Sequence, residues 1–264
     1  MRSIKNHLGA LLVACTCIGG NANAADVRVL SSNAMREAVV DAAPIFEKAS
    51  GNKVSMEFVG SVDILKRLRA GDKTADIVML QDSSIDDLMN EGLVVRGSRV
   101  DIARSLVGVG VRAGAPHPDI SSGEALKRTL MGSKSIVVSS GPSGAYMLTL
   151  FEKMGIPRDH YRQLAPGVQT GQLVARGEAE LCFQQVSELL PVKGIDILGS
   201  LPRDVQHVTL FSAGLHSATP HTEAAKALLG YLTSPEAAAG LNAKGMEPVR
   251  RADVPPPISN EKVR

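Results

Sequence analysis

The sequence predicts an α/β protein of two lobes, each a mainly parallel sheet flanked by helices, with two crossover strands as hinge. Three observations lead there. Short apolar runs alternate with helical patterns along most of the 264 residues. A second alternating unit sits inside the first, bracketed by two long β-runs. Polar turns rich in Ser fall where strands end and helices begin.

The elements follow in order. Val27–Leu30 reads as a strand and Asn33–Lys48 as a helix, with Pro44 bending it or marking a restart. Val54–Phe58 is a strand. Val62–Ala70 is a helix with Ile64, Leu65 and Leu68 on one face and Lys66, Arg67 and Arg69 towards water. Asp76–Leu80 is a strand and Ser84–Asn90 a helix. This βαβαβα order indicates a parallel sheet covered on both faces. Ser105–Val111 is then a long β-run, and Gly114-Ala-Pro-His-Pro118 a turn. A new alternation follows, with helix Gly123–Met131, strand Ser135–Val138 and helix Ser143–Met154. A helix near Gly171–Arg176, a strand Glu180–Gln184 and a second β-run at Val205–Phe211 come next. Helices at Glu223–Thr233 and Pro235–Ala243 precede a loose tail with Pro255-Pro-Pro257. The two long β-runs are the crossing points. Lobe 1 is then 25–107 plus 208–264, and lobe 2 is 108–207.

The first residues read as an export signal, residues 1–24. Arg2 and Lys5 give a positive start, Leu8 to Ile18 is apolar but short, and Ala22-Asn23-Ala24 is a cleavage site. This implies a periplasmic protein. A rival reading makes Leu12-Val13-Ala14-Cys15 a lipoprotein box, with Cys15 the anchor. The leader holds two of the 29 basic residues and none of the 27 acidic ones, so the remainder is balanced. With no basic stripe and no interleaved aromatics, nucleic acid is not an expected partner. Trp is absent and aromatics are 3% of the chain, which makes a sugar-stacking cleft a poor guess. Cys182 remains after the leader, in an apolar run, and reads as a buried small hydrophobe.

Ser135-Ile-Val-Val-Ser-Ser-Gly-Pro-Ser-Gly-Ala-Tyr146 carries the strongest functional signal. A strand ends in hydroxyls and glycines, and a helix begins. Backbone N–H groups at the positive end of a helix bind anions without any Lys or Arg. Candidates here are Ser139, Ser140, Ser143, Gly144, Ala145 and Tyr146, with Ser143 able to cap the helix. Ser31, Ser32 and Asn33 form a similar turn after the first strand, and Ser61 follows Gly60 at the next. Gln184 and Gln185 offer neutral amides after a later strand. Glu188 is assigned to the surface or to a lobe-bridging ion pair, since a carboxylate facing an anion repels it. Asp76 and Asp82 read as turn or cap residues. His207, His216 and His221 match no zinc spacing, so neither metal nor cofactor is expected. Gly141-Pro142-Ser143-Gly144-Ala145 misses the Gly-x-Ser-x-Gly elbow by one place, leaving a secreted serine hydrolase as the weaker enzyme reading. No Gly-x-x-x-x-Gly-Lys loop occurs, which argues against an ATPase subunit.

The chain resembles the type II, two-lobed periplasmic solute-binding proteins, and among them the molybdate-binding proteins of ABC importers. The resemblance is carried by Val29-Leu-Ser-Ser-Asn-Ala-Met-Arg-Glu-Ala38, Phe46-Glu-Lys-Ala-Ser-Gly51, Gly60-Ser-Val-Asp-Ile64, Gly71 to Asp76 and Leu232-Thr-Ser-Pro235. It implies a non-enzymatic, monomeric binding protein that holds a molybdate- or tungstate-like oxyanion between its lobes and serves an inner-membrane permease. By position it implies Ser31 or Ser32, Ser61, and N–H groups near Ser143 to Ala145 as donors. The chain departs from the family at Gln184-Gln185, where the family has a small apolar residue followed by Tyr. A small organic di- or tricarboxylate is the alternative ligand, and a receptor or signalling module on the same fold is a further class.

Overall fold

The computed structural model describes residues 24–249. The export signal before Ala24, the Cys15 lipid box and the Pro-rich tail lie outside the described residues. The first lobe opens with β1 (Asp26–Ser32), a 3-10 turn at Asn33–Met35, and helices α1 (Arg36–Val40) and α2 (Ala42–Ser50). The expected single helix is thus broken at Asp41, and Pro44 sits in the first turn of α2, where its missing N–H costs little. β2 (Lys53–Val59), α3 (Ser61–Arg69), β3 (Ile77–Gln81) and α4 (Asp82–Asn90) follow. β4 (Val100–Arg112) then runs into the second lobe. That lobe holds α5 (Gly123–Gly132), β5 (Ile136–Val138), α6 (Pro142–Met154), β6 (Tyr161–Gln163), α7 (Thr170–Ala175), β7 (Leu181–Gln185), α8 (Val186–Leu189) and β8 (Ile195–Ser200). β9 (Val208–Leu215) returns to the first lobe, followed by α9 (Thr222–Leu232), α10 (Pro235–Ala243) and β10 (Met246–Pro248).

Each sheet has the expected parallel centre, β2–β1–β3 in one lobe and β6–β5–β7 in the other. Antiparallel strands complete both sheets, because the crossing strands run against that centre. β9 pairs antiparallel with β3 and with the first half of β4, and β10 adds to the edge. From Val107 onward β4 pairs instead with β7 and β8. The second β-run starts later than expected, because Arg203–Val205 forms a 3-10 turn and β9 begins at Val208. Gln206 holds this crossing: its Oε1 accepts from the Val107 and His207 N–H groups, and its Nε2 donates to Leu201 O and Val107 O.

Strand alternation explains the layers. Along β3, Ile77 and Met79 pack with α1, α2 and α9, while Val78 and Leu80 pack with α3 and α4. Along β7, Leu181 and Phe183 join the core under α5 and α6, while Cys182 faces α7. Both faces of β3 and of β7 are dry, so these central strands read as continuous apolar runs. Cys182 is fully buried, its Sγ donates to Gly110 O at 3.5 Å, and burial pushes its thiol up to about 12, which leaves no nucleophile.

Candidate functional site

A narrow cleft with about 30 Å³ of internal space lies between the lobes, at the carboxyl ends of the parallel strands. Its first wall is the end of β1. Ser31 points into the protein, fully buried, with its Oγ donating to Ser32 O at 3.2 Å. Ser32 lines the cleft, and its buried hydroxyl has no hydrogen-bond partner among the described residues. Asn33 lines the cleft beside it. Gly60 and Ser61 form the adjoining wall, with Gly60 as N-cap of α3 and Ser61 its first residue. A glycine cap offers no side-chain acceptor, so the first N–H groups of α3 are left uncapped at the cleft.

The second lobe repeats the device. Ser139, Ser140, Gly141 and Pro142 line the opposite wall. Gly141 is the N-cap of α6, again without a side-chain cap. The helix begins one residue earlier than expected, at Pro142. That places Ser143 inside the first turn rather than at the cap, and its Oγ pairs with Ser139 Oγ at 3.0 Å. Gly144 packs against the strand end so closely that a Cβ would lie 1.6 Å from Ser139 O. The Ala145 N–H bonds Gly141 O at 3.0 Å. Tyr146 Oη donates to Val205 O at 2.6 Å, and its ring stacks on His207. Of this segment, Ser139 and Ser140 therefore face the cleft. Ser143, Gly144, Ala145 and Tyr146 are not among the residues that line it and seat the helix instead. Ser143 has Ser139 rather than a histidine as its hydroxyl partner, so no hydrolase relay is assembled on it.

The glutamine pair also divides, because neighbouring strand residues face opposite ways. Gln185 turns from the cleft, and its Nε2 donates to Thr209 Oγ1 at 2.8 Å. Gln184 lines the cleft. Its Oε1 accepts from the N–H and Oγ1 of Thr170, at 2.9 and 2.7 Å. Its Nε2 donates to Gln169 Oε1 at 3.0 Å and to Glu188 Oε1 at 2.8 Å. Gly167, Val168, Gln169 and Glu188 are cleft residues that sequence reasoning did not place there. The loop carrying the first three has no periodicity to betray it. The four-residue α8 carries Glu188 back over the cleft.

Glu188 is the single ionisable group among the residues lining this cleft. Burial pushes its carboxyl up to about 7, against hydrogen bonds from Gln184, Gln169 and the Gln185 backbone that favour the ionised form. The expectation of a surface or ion-paired residue is therefore corrected. A carboxyl near neutrality can sit beside an anion, because its protonated form donates a hydrogen bond instead of repelling. The arrangement offers hydroxyls, amides and helix-start N–H groups for an anion, and one group able to take or give a proton near pH 7.

The histidines are dispersed. His207 stacks on Tyr146, while His221 Nδ1 lies 3.3 Å from both oxygens of the buried Asp76. The His216 N–H bonds Asp76 O, and its Nδ1 accepts from the Ala218 N–H. Among the described residues no three His, Cys, Asp or Glu side chains converge on a metal-sized site.

A family model for a bacterial extracellular solute-binding protein matches residues 27–247. The chain belongs to that family. It is 40% identical to the aconitate isomerase of a Pseudomonas species, over 92% of this chain and 95% of that protein. It is 29% identical to the molybdate-binding protein ModA of Azotobacter vinelandii, over 90% of this chain and 94% of that one. The solved periplasmic molybdate-binding protein of Azotobacter vinelandii superposes with a TM-score of 0.67 at 19% identity, covering 84% of this chain and 98% of the other. The fold is the two-lobed type expected. The first relative is named as an enzyme, which overturns the expectation that this solute-binding protein is not one.

Proposed function

We propose that the cleft binds a small unsaturated polycarboxylic acid and shifts a proton on it, an isomerisation of the kind for which the 40% identical relative is named. The observation that carries this reading is Glu188, a carboxyl held near pH 7 inside a cradle otherwise made of neutral donors. Aconitate is a three-carbon unit bearing three carboxyl groups and one C=C bond. Glu188 in its ionised form takes a proton from the saturated carbon. The electron pair left behind spreads over the allylic unit and its carboxylates. Protonated Glu188 then returns the proton to the carbon at the far end. One C–H bond breaks, another forms and the double bond moves, with no net oxidation. Rotation within the delocalised unit lets the alkene re-form in either geometry. Ser32, Asn33, Ser61, Ser139 and Ser140, with the uncapped starts of α3 and α6, hold the carboxylates and favour the charge that develops, while Gln184 holds Glu188.

The test is to incubate purified protein with trans-aconitate in D2O and follow the cis isomer by NMR. Conversion is expected, with deuterium at carbon only to the extent that the proton on Glu188 exchanges with solvent before its return. Glu188→Gln should slow it by about 10²- to 10⁴-fold, the range for losing a general acid–base group, while binding persists. No conversion of either isomer would overturn the reading.

The hydroxyl-rich cradle and the 29% identical relative support a second reading. There the protein captures a tetrahedral oxyanion such as molybdate or tungstate in the periplasm and delivers it to an ABC importer permease. Its lobes are 25–107 with 208–264, and 108–207, closing about the two crossings. Calorimetry against molybdate, tungstate, sulfate and tricarboxylates separates the two.

A further inference from the structure

Beside the first cleft lies a second, open compartment of about 400 Å³. Asn33, Gln169 and Glu188 line both spaces, so they form a shared wall. The second space differs in charge. Arg36 and Lys193 line it from opposite lobes, with Glu37 and Glu188 as the acidic residues of its lining. The Arg36 guanidinium lies 4.3 Å over the Phe58 ring. Among the described residues neither Arg36 nor Lys193 forms an ion pair with a carboxylate, while eleven Lys or Arg pairs occur elsewhere. The aromatic face holds the Arg36 plane without consuming its hydrogen-bond donors. Burial favours the protonated form of Glu188, which lowers the negative charge that faces the two cations.

We infer that this compartment is a carboxylate subsite, in which Arg36 and Lys193 take an outer carboxylate of a ligand whose other end lies in the Ser32–Ser61–Ser139 cradle. The inference rests on the polycarboxylate reading above. A ligand spanning the shared wall lays its central carbon atoms against Glu188, where a proton is to be moved. A tetrahedral oxyanion fills the neutral cradle alone and cannot reach the cations. The pair therefore selects for length and for an extra charge. Charge-assisted hydrogen bonds of the guanidinium–carboxylate kind supply that selection, and exposure of both side chains keeps it modest.

Two saturated probes that cannot react isolate binding: propane-1,2,3-tricarboxylate, and ethane-1,2-dicarboxylate, which lacks one outer carboxymethyl arm. Calorimetry of full-length protein and of an Arg36→Met, Lys193→Met double variant gives the Kd for each. Both side chains are exposed, so the variant should fold, and its dicarboxylate Kd reports an intact cradle. Wild type is expected to prefer the tricarboxylate by about tenfold or more. The double variant should lose most of that preference and the salt dependence that goes with it. A preference unchanged within about twofold in the variant would overturn the subsite and leave the polycarboxylate reading standing. Failure of wild type to bind either probe, with molybdate bound, would overturn that reading itself.

Discussion

Ser32 and Glu188 show how single side chains are set by their surroundings. Most buried hydroxyls here have partners, yet Ser32 Oγ is buried at the cleft without one. Leaving a donor unsatisfied costs about 1–3 kcal/mol, a cost a ligand oxygen removes on binding. Ser32→Ala should therefore leave urea stability nearly unchanged and weaken ligand binding by about 1–3 kcal/mol in calorimetry. A variant that loses stability but binds normally would make Ser32 structural. Glu188 was misplaced by sequence reasoning for a clear physical reason. Repulsion between a carboxylate and an anion assumes the carboxyl is ionised, but burial favours the neutral form. Sequence shows the residue type and not its desolvation.

At the scale of elements, the helix starts are the working parts. α3 and α6 both begin with a glycine cap at the end of a strand-to-helix turn, and both point at the cleft. That much was legible, since Gly60-Ser61 and Ser139 to Gly144 each follow an apolar run. The division of labour within each turn was not. Whether a serine faces ligand or protein depends on the helix phase, and one residue of shift at Pro142 sends Ser143 to Ser139. Gly144 fixes that phase by letting α6 approach Ser139 O. Gly144→Ala should force the helix away from β5. A loss of about 1–3 kcal/mol in urea unfolding is expected from such overpacking, with weaker ligand binding as Ser139 and Ser140 move. Normal stability and binding would show that the contact relaxes freely.

Across the whole molecule, the two lobes already touch. Ser187 Oγ donates to Ala34 O at 2.9 Å, and Gly60 lies against Gly167 and Pro166, where a Cβ would meet Gly167 N at 3.1 Å. Closing the lobes around Glu188 has a global consequence. Its carboxyl titrates near 4.5 when unfolded and at about 7 when folded, so the folded state binds a proton that the unfolded chain releases. Folding stability should therefore fall as pH rises across that window. Glu188→Gln should flatten the slope, as urea melts at about pH 5 and about pH 8 would show. An identical slope in the variant would mean that Glu188 is solvated as an ordinary carboxylate.

The sequence by itself determined the α/β alternation, the nesting of one lobe within the other, and the polar turns at the strand ends. Those are consequences of local periodicity and turn chemistry, which the chain carries residue by residue. Only the tertiary structure decided which hydroxyls face the cleft, that Gln184 rather than Gln185 enters it, and that Gln169 and Glu188 complete it. These depend on helix phase, strand facing and the meeting of segments distant in sequence. The protonation of Glu188, on which the proposed chemistry turns, depends on the water that packing excludes.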